Sequence, residues 1–496
     1  MSEGKDNLPS NWARITLGDL KPGRNESVDP RKAPGEIFEI YSVPAFPTGA
    51  PEMLNGAEIG SSKQRVEPGT VLLCGINPRI NRVWVVSPAN SKQQIASTEW
   101  IAFAPTPGIY AKYLSYFLQR NEIRDYLASN ASGVGGSLMR VKGRTCSAIA
   151  LPIAPANEQV RIVEEIEKQL TRRDAAIAAL KRVQANLKRY RASVLKAACE
   201  GRLVPTEAEL ARREGRSYEP ASVLLERVQT KSNQGSNHVA GMPDLPEGWS
   251  WTTLARLIAE GPQNGLYLPK TKYGSGTPIL RIDDFQSHMS RASEQLRLVN
   301  ANKEEVALYS LRPGDMVVNR VNSPSHLGKT LFVENKNVPA LFESNMMRMR
   351  LHDAISSEYI AIYLSSTMGR TRLTARAKWA VNQASINQQD VGLTPIPLPP
   401  EEEQRRVAVE VSRQLSVLDE IQMELGANTN RADKLRQSVL RRAFEGKLAP
   451  QDASDEPASA LLERIRATVI PDSAPVRAKD KKPTRRATVS KETANA

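Results

Sequence analysis

One long segment occurs twice in this chain, and that duplication limits the folds it can adopt. LPIAPANEQVRIVEEIEKQL (residues 151–170) is answered by IPLPPEEEQRRVAVEVSRQL (residues 396–415), a shift of 245 from Glu158 to Glu403. The likeness continues outward on both sides. LPSNWARITLGDL (8–20) answers to LPEGWSWTTLARL (245–257), VEPGTVLL (66–73) to LRPGDMVV (311–318), AKYLSYFL (111–118) to SEYIAIYL (357–364), SVLKAACEGRLVP (193–205) to SVLRRAFEGKLAP (438–450) and EPASVLLER (219–227) to EPASALLER (456–464). Units this long cannot be solenoid repeats. The chain is a duplicated pair of modules.

Two textures alternate within each unit. The first, about 8–150 and 245–395, has short apolar runs broken by Gly, Pro and Asn. VLLCGI and VWVVSP read as strands, and residues 109–127 read as a helix, which predicts a mixed α/β domain. The second texture is a charged run without Pro or Gly from Asn157 to Glu200. There Val163, Ile166, Leu170, Ile177, Leu180, Leu187 and Val194 follow the three-and-four spacing of a coiled-coil seam, with Arg173, Gln184 and Arg191 as weak positions. The second copy offers Val411, Leu415, Leu418, Leu425, Ala432, Leu435 and Val439. Gly201 and Gly446 stop the runs, and Pro152, Pro155, Pro397, Pro399 and Pro400 force an extended approach to each. Glu158 and Glu401 to Glu403 put negative charge on the first turn, where the helix dipole favours it.

The expected fold is therefore two mixed α/β globular domains joined by two long helices that pair as an antiparallel coiled coil, the whole an internal pseudo-two-fold repeat. The expected boundaries are 1–150 for the first domain, 151–205 for the first long helix and 206–244 for a connector. They continue with 245–395 for the second domain, 396–450 for the second long helix and 451–496 for a C-terminal segment. At about 1.5 Å per residue a helix of roughly 44 residues spans at most ~66 Å, equivalent to about 19 base pairs of duplex.

The net charge of +14 calls for an anionic partner, nucleic acid before membrane surface. Seven Lys and Arg in residues 473–496 face only Asp480 and Glu492, which makes that segment a basic tail. Cys74, Cys146 and Cys199 lie too far apart in sequence for a zinc knuckle or a disulfide framework. No apolar signal region opens the chain, and no apolar run approaches the roughly 20 residues of a membrane span, so a cytoplasmic protein with no membrane partner is expected. No GxxxxGK[ST] phosphate loop and no Asn/Asp-Pro-Pro-aromatic tetrapeptide of an adenine methyltransferase is present. The four histidines have no metal-ligand spacing. No catalytic residue and no metal site are expected.

The PIPLPPEEEQRRV entry, the SVLRRAFEGKL helix end, the LPEGW domain start and the duplicated layout resemble the specificity subunit of type I restriction-modification enzymes. The resemblance covers the chain except its last thirty or so residues. It implies that each globular domain is a target recognition domain and that double-stranded DNA is read as an asymmetric bipartite target. Two methyltransferase subunits would dock on the helices, and restriction subunits would join them. Such a chain binds no cofactor itself; S-adenosylmethionine, ATP and Mg belong to the partners. The residues alone leave open a non-enzymatic DNA-binding adaptor or a coiled-coil scaffold.

Base readout needs Arg, Lys, Asn, Gln or Ser on loops of fixed geometry. In the first domain NPRINR and GGSLMRVKGR supply Arg79, Asn81, Arg82, Arg140, Lys142 and Arg144. In the second, NRVNSPSHLGK supplies Arg320, Asn322 and Lys329. KWAVNQASINQQD adds Lys378, Asn382, Gln383, Ser385, Asn387 and Gln388. These loops differ between the units while their frameworks correspond, which predicts two unlike half-sites.

Overall fold

The computed structural model describes residues 8–20, 26–133, 139–228, 241–286, 289–323, 325–380 and 383–469. The expectations for the basic tail and for Asn382 lie outside them. The described residues form two compact units, one of residues 1–178 with 429–496 and one of residues 179–428. Each unit takes one globular domain and part of each of two 44-residue helices, Ala156–Cys199 and Glu401–Phe444.

In the first unit, Val71–Cys74 is the fully buried centre of a three-stranded antiparallel sheet between Val83–Val85 and Trp100–Phe103. A five-stranded sheet around Ile37–Tyr41 lies beside it in the chain. Ala13–Thr16 pairs antiparallel with Ala150–Ile153, so the start of the domain is stitched to the strand that leads into the first long helix. Tyr113 and Phe117, on the helix Ala111–Leu118, pack tilted and edge-on against Phe444 at 4.9 and 5.3 Å between ring centres. Val163, Ile166 and Leu170 join the same core with Val439, Leu440 and Ala443. The beginning of one long helix thus packs with the end of the other, which makes the pair antiparallel.

The second unit repeats this plan. Met316–Asn319 lies between Thr330–Phe332 and Met346–Leu351, and Ser250–Thr253 pairs antiparallel with Pro395–Leu398. Val194, Leu195, Ala198 and Cys199, at the end of the first long helix, share a core with Val407, Val411, Leu415 and Leu418. Arg173 and Arg191, weak positions of the seam by sequence, become inter-helix ion pairs. In the first unit Arg173 reaches Asp433 at 2.6 Å and the carbonyl of Ala432 at 2.7 Å. In the second unit Arg191 pairs with Asp419. The seam is narrower than expected. Ile177, Leu180 and Leu187 are only half-buried, and Leu435 is 47% exposed. An α-helix drifts about 20° per heptad against a strict 3.5-residue period, so one straight stripe cannot stay in contact over 44 residues.

The structure also changes the role of the duplicated Glu-Gln pair. Sequence placed Glu158 and Glu403 on the first turn as charges favoured by the helix dipole, with no buried role. Both are fully buried instead. Glu403 accepts the indole N–H of Trp249 at 2.9 Å and the backbone N–H of Glu207 at 2.8 Å, and Glu158 accepts from Gln451 at 3.0 Å. The neighbouring glutamines hold main chain. Gln159 accepts from the N–H of Tyr110 and donates to the carbonyls of Gly108 and Ala154; Gln404 accepts from Ser356 N–H and donates to the carbonyl of Pro399. Tyr110 and Ser356 are the N-caps of the corresponding helices Ala111–Leu118 and Ser357–Ser365. Tyr113 and Tyr359 donate to the carbonyls of Pro152 and Pro397 at 2.9 and 2.7 Å. The glycines close the arrangement. Gly201 and Gly446 have φ of +65° and +70°, and a Cβ there would fall 2.6 Å from Pro246 and 2.3 Å from Pro9. In each unit the end of one long helix lies against the domain start.

Among the described residues no helix is long and apolar enough to cross a membrane, and no group of three or more His, Cys, Asp or Glu is placed to hold a metal ion. Cys74, Cys146 and Cys199 are buried and unpaired.

Candidate nucleic-acid interface

The two polar clusters that sequence singled out in each domain, about sixty residues apart, are brought together in the fold. In the first unit the buried strand Val71–Cys74 runs out into Gly75 and Ile76. Ile76 forms an antiparallel bridge with Arg140, and Arg140 forms another with Ser132. In the second unit Val321–Asn322, just beyond Met316–Asn319, pairs with Gln383–Ser385, and that strand pairs with the edge strand Lys378–Ala380. The registers coincide: Ile76 opposite Arg140 and Val321 opposite Ser385 are both related by the shift of 245. A short helix follows in each case, Gly143–Ser147 with Lys142 at its N-cap and Gln388–Gly392 with Asn387 at its N-cap.

Within this shared frame the candidate side chains divide. In the first unit Arg79, Lys142 and Arg144 are exposed. Arg79 stands on a one-turn 3-10 helix, Pro78–Ile80, flanked by Asn77 and Asn81 at φ of 48° and 44°. Asn is among the few residues that tolerate this left-handed backbone. Arg140 is exposed and paired with Glu99 at 2.7 Å. Asn81 and Arg82 turn inward. The Asn81 amide donates to the carbonyl of Leu118 at 3.1 Å, and the Arg82 guanidinium braces the loop at Ile76 O, 3.4 Å away. Their geometry serves the loop.

In the second unit Lys378, Gln383 and Gln388 are exposed, and Ser385 is half-buried beside them. Asn322 accepts from Ser323 N–H at 2.6 Å. Arg320 is half-buried, with one guanidinium nitrogen 3.4 Å from Ser344 O. Lys329 points away from the cluster. Its ammonium donates to Ile282 O at 2.8 Å and stands 4.6 Å over the Phe285 ring, and burial pushes its pKa down. Asn387 caps its helix, accepting from Asp390 N–H at 2.8 Å while the Asp390 carboxylate accepts from Asn387 N–H at 3.1 Å. For Asn322 and Asn387 the cause is local: short polar side chains satisfy nearby backbone before they face solvent, whereas Arg320 and Lys329 reach carbonyls of distant segments; residue type alone does not reveal which do.

Sequence reading passed over Trp379, which lies on the edge strand between Lys378 and Ala380 and is 64% exposed. Its signal was a large aromatic inside a polar, β-paired run.

No family model matches the chain. The specificity subunit of the type I restriction enzyme EcoKI from Escherichia coli K12 is 26% identical over 376 residues, 73% of each chain. That of StySPI from Salmonella potsdam is 27% identical over 377 residues, 74% of this chain and 73% of its own. A solved structure concerned with complex assembly and conformational transition of the type I R-M system contains a chain of the same fold. It aligns with a TM-score of 0.66 at 19% identity, covering 89% of this chain and 100% of that one. In sequence the chain is similar to the specificity subunits of type I restriction enzymes, and in fold to a chain from a type I R-M system.

Proposed function

We propose that this chain is the DNA-reading subunit of a type I restriction-modification complex, each globular domain reading one half of an asymmetric bipartite target. One observation carries the reading. The same strand-and-helix frame recurs at the same register in both units, yet it presents Arg140 in one and Ser385 in the other. A constant frame with differing polar side chains is what direct readout of two unlike half-sites requires. Arg79, Arg140, Lys142 and Arg144 serve one half-site, and Lys378, Gln383, Ser385 and Gln388 serve the other.

In this reading the chain carries no catalysis of its own. Two methyltransferase subunits, joined by restriction subunits, supply it, and S-adenosylmethionine, ATP and Mg bind there. The complex works in the cytoplasm, where its DNA is. The test is to map methylated adenines in a host expressing the chain with its partner subunits. A two-part asymmetric motif supports the reading. Unmodified DNA despite an assembled complex overturns it, and would favour an adaptor or scaffold. Methyl transfer by the purified chain alone would overturn the non-catalytic assignment.

A further inference from the structure

The second domain carries a feature that hydrogen-bond readout does not use. The strands Lys378–Ala380 and Gln383–Ser385 form a two-stranded ribbon at the edge of a three-stranded sheet. Residues directly opposite one another in an antiparallel pair share a face. Trp379 is opposite Ala384, which is opposite Asn322. Lys378 is opposite Ser385, which is opposite Val321, so Lys378 and Ser385 share the other face, with Gln383 two residues along. The ribbon thus offers Lys and Gln from one side and an indole from the other.

Among the described residues no aromatic or cation–π contact is made by that indole. Its cross-strand neighbour Ala384 is small and buried, and the ring lies beyond it, mostly in water. An exposed Trp on an edge strand is an association hazard, and a single Ala opposite gives little packing in return. The position is nonetheless on the same ribbon that carries Lys378 and Gln383, on its opposite face, so both faces are available to a groove that holds the ribbon. The corresponding stretch of the first domain, ASGVGGSLMRVKGR (131–144), contains no aromatic residue. A two-stranded ribbon is one of the shapes the major groove admits, and apolar side chains there meet the exposed C5-methyl groups of thymines.

We infer that Trp379 packs its indole on the apolar surface of a base in the second half-site, and that the first half-site is read without an aromatic contact. This rests on the proposed DNA-reading function and adds to it a contact that is neither a phosphate ion pair nor a base-edge hydrogen bond.

The test uses the full chain assembled with its methyltransferase subunits. The probes are a duplex carrying the mapped target and the same duplex with the second half-site scrambled. Trp379→Ala should weaken binding to the intact target roughly 5- to 100-fold, the range for loss of one base contact in a specific duplex site. Trp379→Phe should bind within about 3-fold of the wild type, since a ring remains to pack. The slope of affinity against salt should not change in either, because no phosphate contact is removed. On the scrambled duplex the wild type and Trp379→Ala should bind alike. Equal binding of Trp379→Ala and wild type to the intact target, an equal loss on both duplexes, or a shallower salt slope would each overturn the inference. A wild-type complex that does not distinguish the two duplexes would overturn the DNA-reading function itself, a separate result. Melting temperatures of the variants, expected to match the wild type at this exposed site, guard against a folding effect; for a variant that melts early, Trp379→Phe decides.

Discussion

Trp249 donates its indole N–H to the carboxylate of Glu403 at 2.9 Å, with both residues buried. The tryptophan comes from the LPEGW start of the second domain and the glutamate from the PLPPEEEQ entry to the second long helix. The two motifs that announce the duplication in sequence are thus partners in space. The same carboxylate takes the backbone N–H of Glu207, which follows the first long helix, so three separated segments meet on one side chain.

Burial pushes the Glu403 carboxyl above its usual range, with hydrogen bonds from Glu207 and Trp249 working against the shift. A folded-state pKa above the unfolded one means this group's contribution to stability is fully present below the unfolded value of about 4.3 and is lost as pH rises through the folded value. Glu403→Gln removes that titration. Its melting temperature relative to wild type should therefore move in the variant's favour between pH 4.5 and pH 7.5, whatever the offset at the start. A difference that moves the other way would show that the hydrogen bonds outweigh burial.

Gln404→Ala should cost about 2–6 kcal/mol of stability. It leaves the N–H of Ser356 and the carbonyl of Pro399 without their buried partner, at about 1–3 kcal/mol for each orphaned group. Gln159→Ala should behave alike in the first unit. Chemical denaturation of each variant gives the number.

The pair Arg191–Asp419 joins the two long helices, with side chains 18% and 15% exposed. A double-mutant cycle with Arg191→Met and Asp419→Leu should return a coupling of about 1–2 kcal/mol, above an exposed pair and below a fully buried one. The double variant should be more stable than the sum of the single changes implies. A coupling near zero would make the contact incidental.

Burial holds the Cys146 thiol at about 12 and the Cys199 thiol at about 11, and raises Cys74 as well. Thiolate, the reactive form, is scarce at pH 8. Iodoacetamide should leave the native chain almost unlabelled and add three groups once denaturant is present, as read by intact mass.

Gln383→Ala should relax one half-site of the mapped methylation motif, and Arg140→Ala should relax the other. Asn387→Ala is a poorer probe. It also removes a helix cap worth about 1 kcal/mol, so its effect on binding would mix readout with folding.

Most of the architecture was legible because duplication doubles every signal. Gly446 and Gly201 stop their helices in one copy as in the other, and Val163, Ile166 and Leu170 kept the period that buries them. The parts that were not legible have physical reasons. Leu435 fits the seam by count and misses it by rotation. Glu158 and Glu403 look like solvated first-turn acids, because the donors that bury them lie far away in the sequence. In the candidate interface Lys329 and Asn81 have the right chemistry and point the wrong way, a matter of local backbone that composition does not encode. Trp379 was passed over because readout was sought among hydrogen-bonding types.

The clasps made by Gln159, Gln404, Tyr113 and Tyr359 all close on main-chain atoms of the domain or its exit strand. A joint of that kind recognises a path of the chain and is indifferent to the side chains along it. The loops proposed to read DNA can therefore mutate, or be replaced wholesale by another domain entering and leaving along the same path, without any compensating change in the helices. If it serves the function proposed, such a chain can change its target many times over evolution and still fit the same partner enzymes.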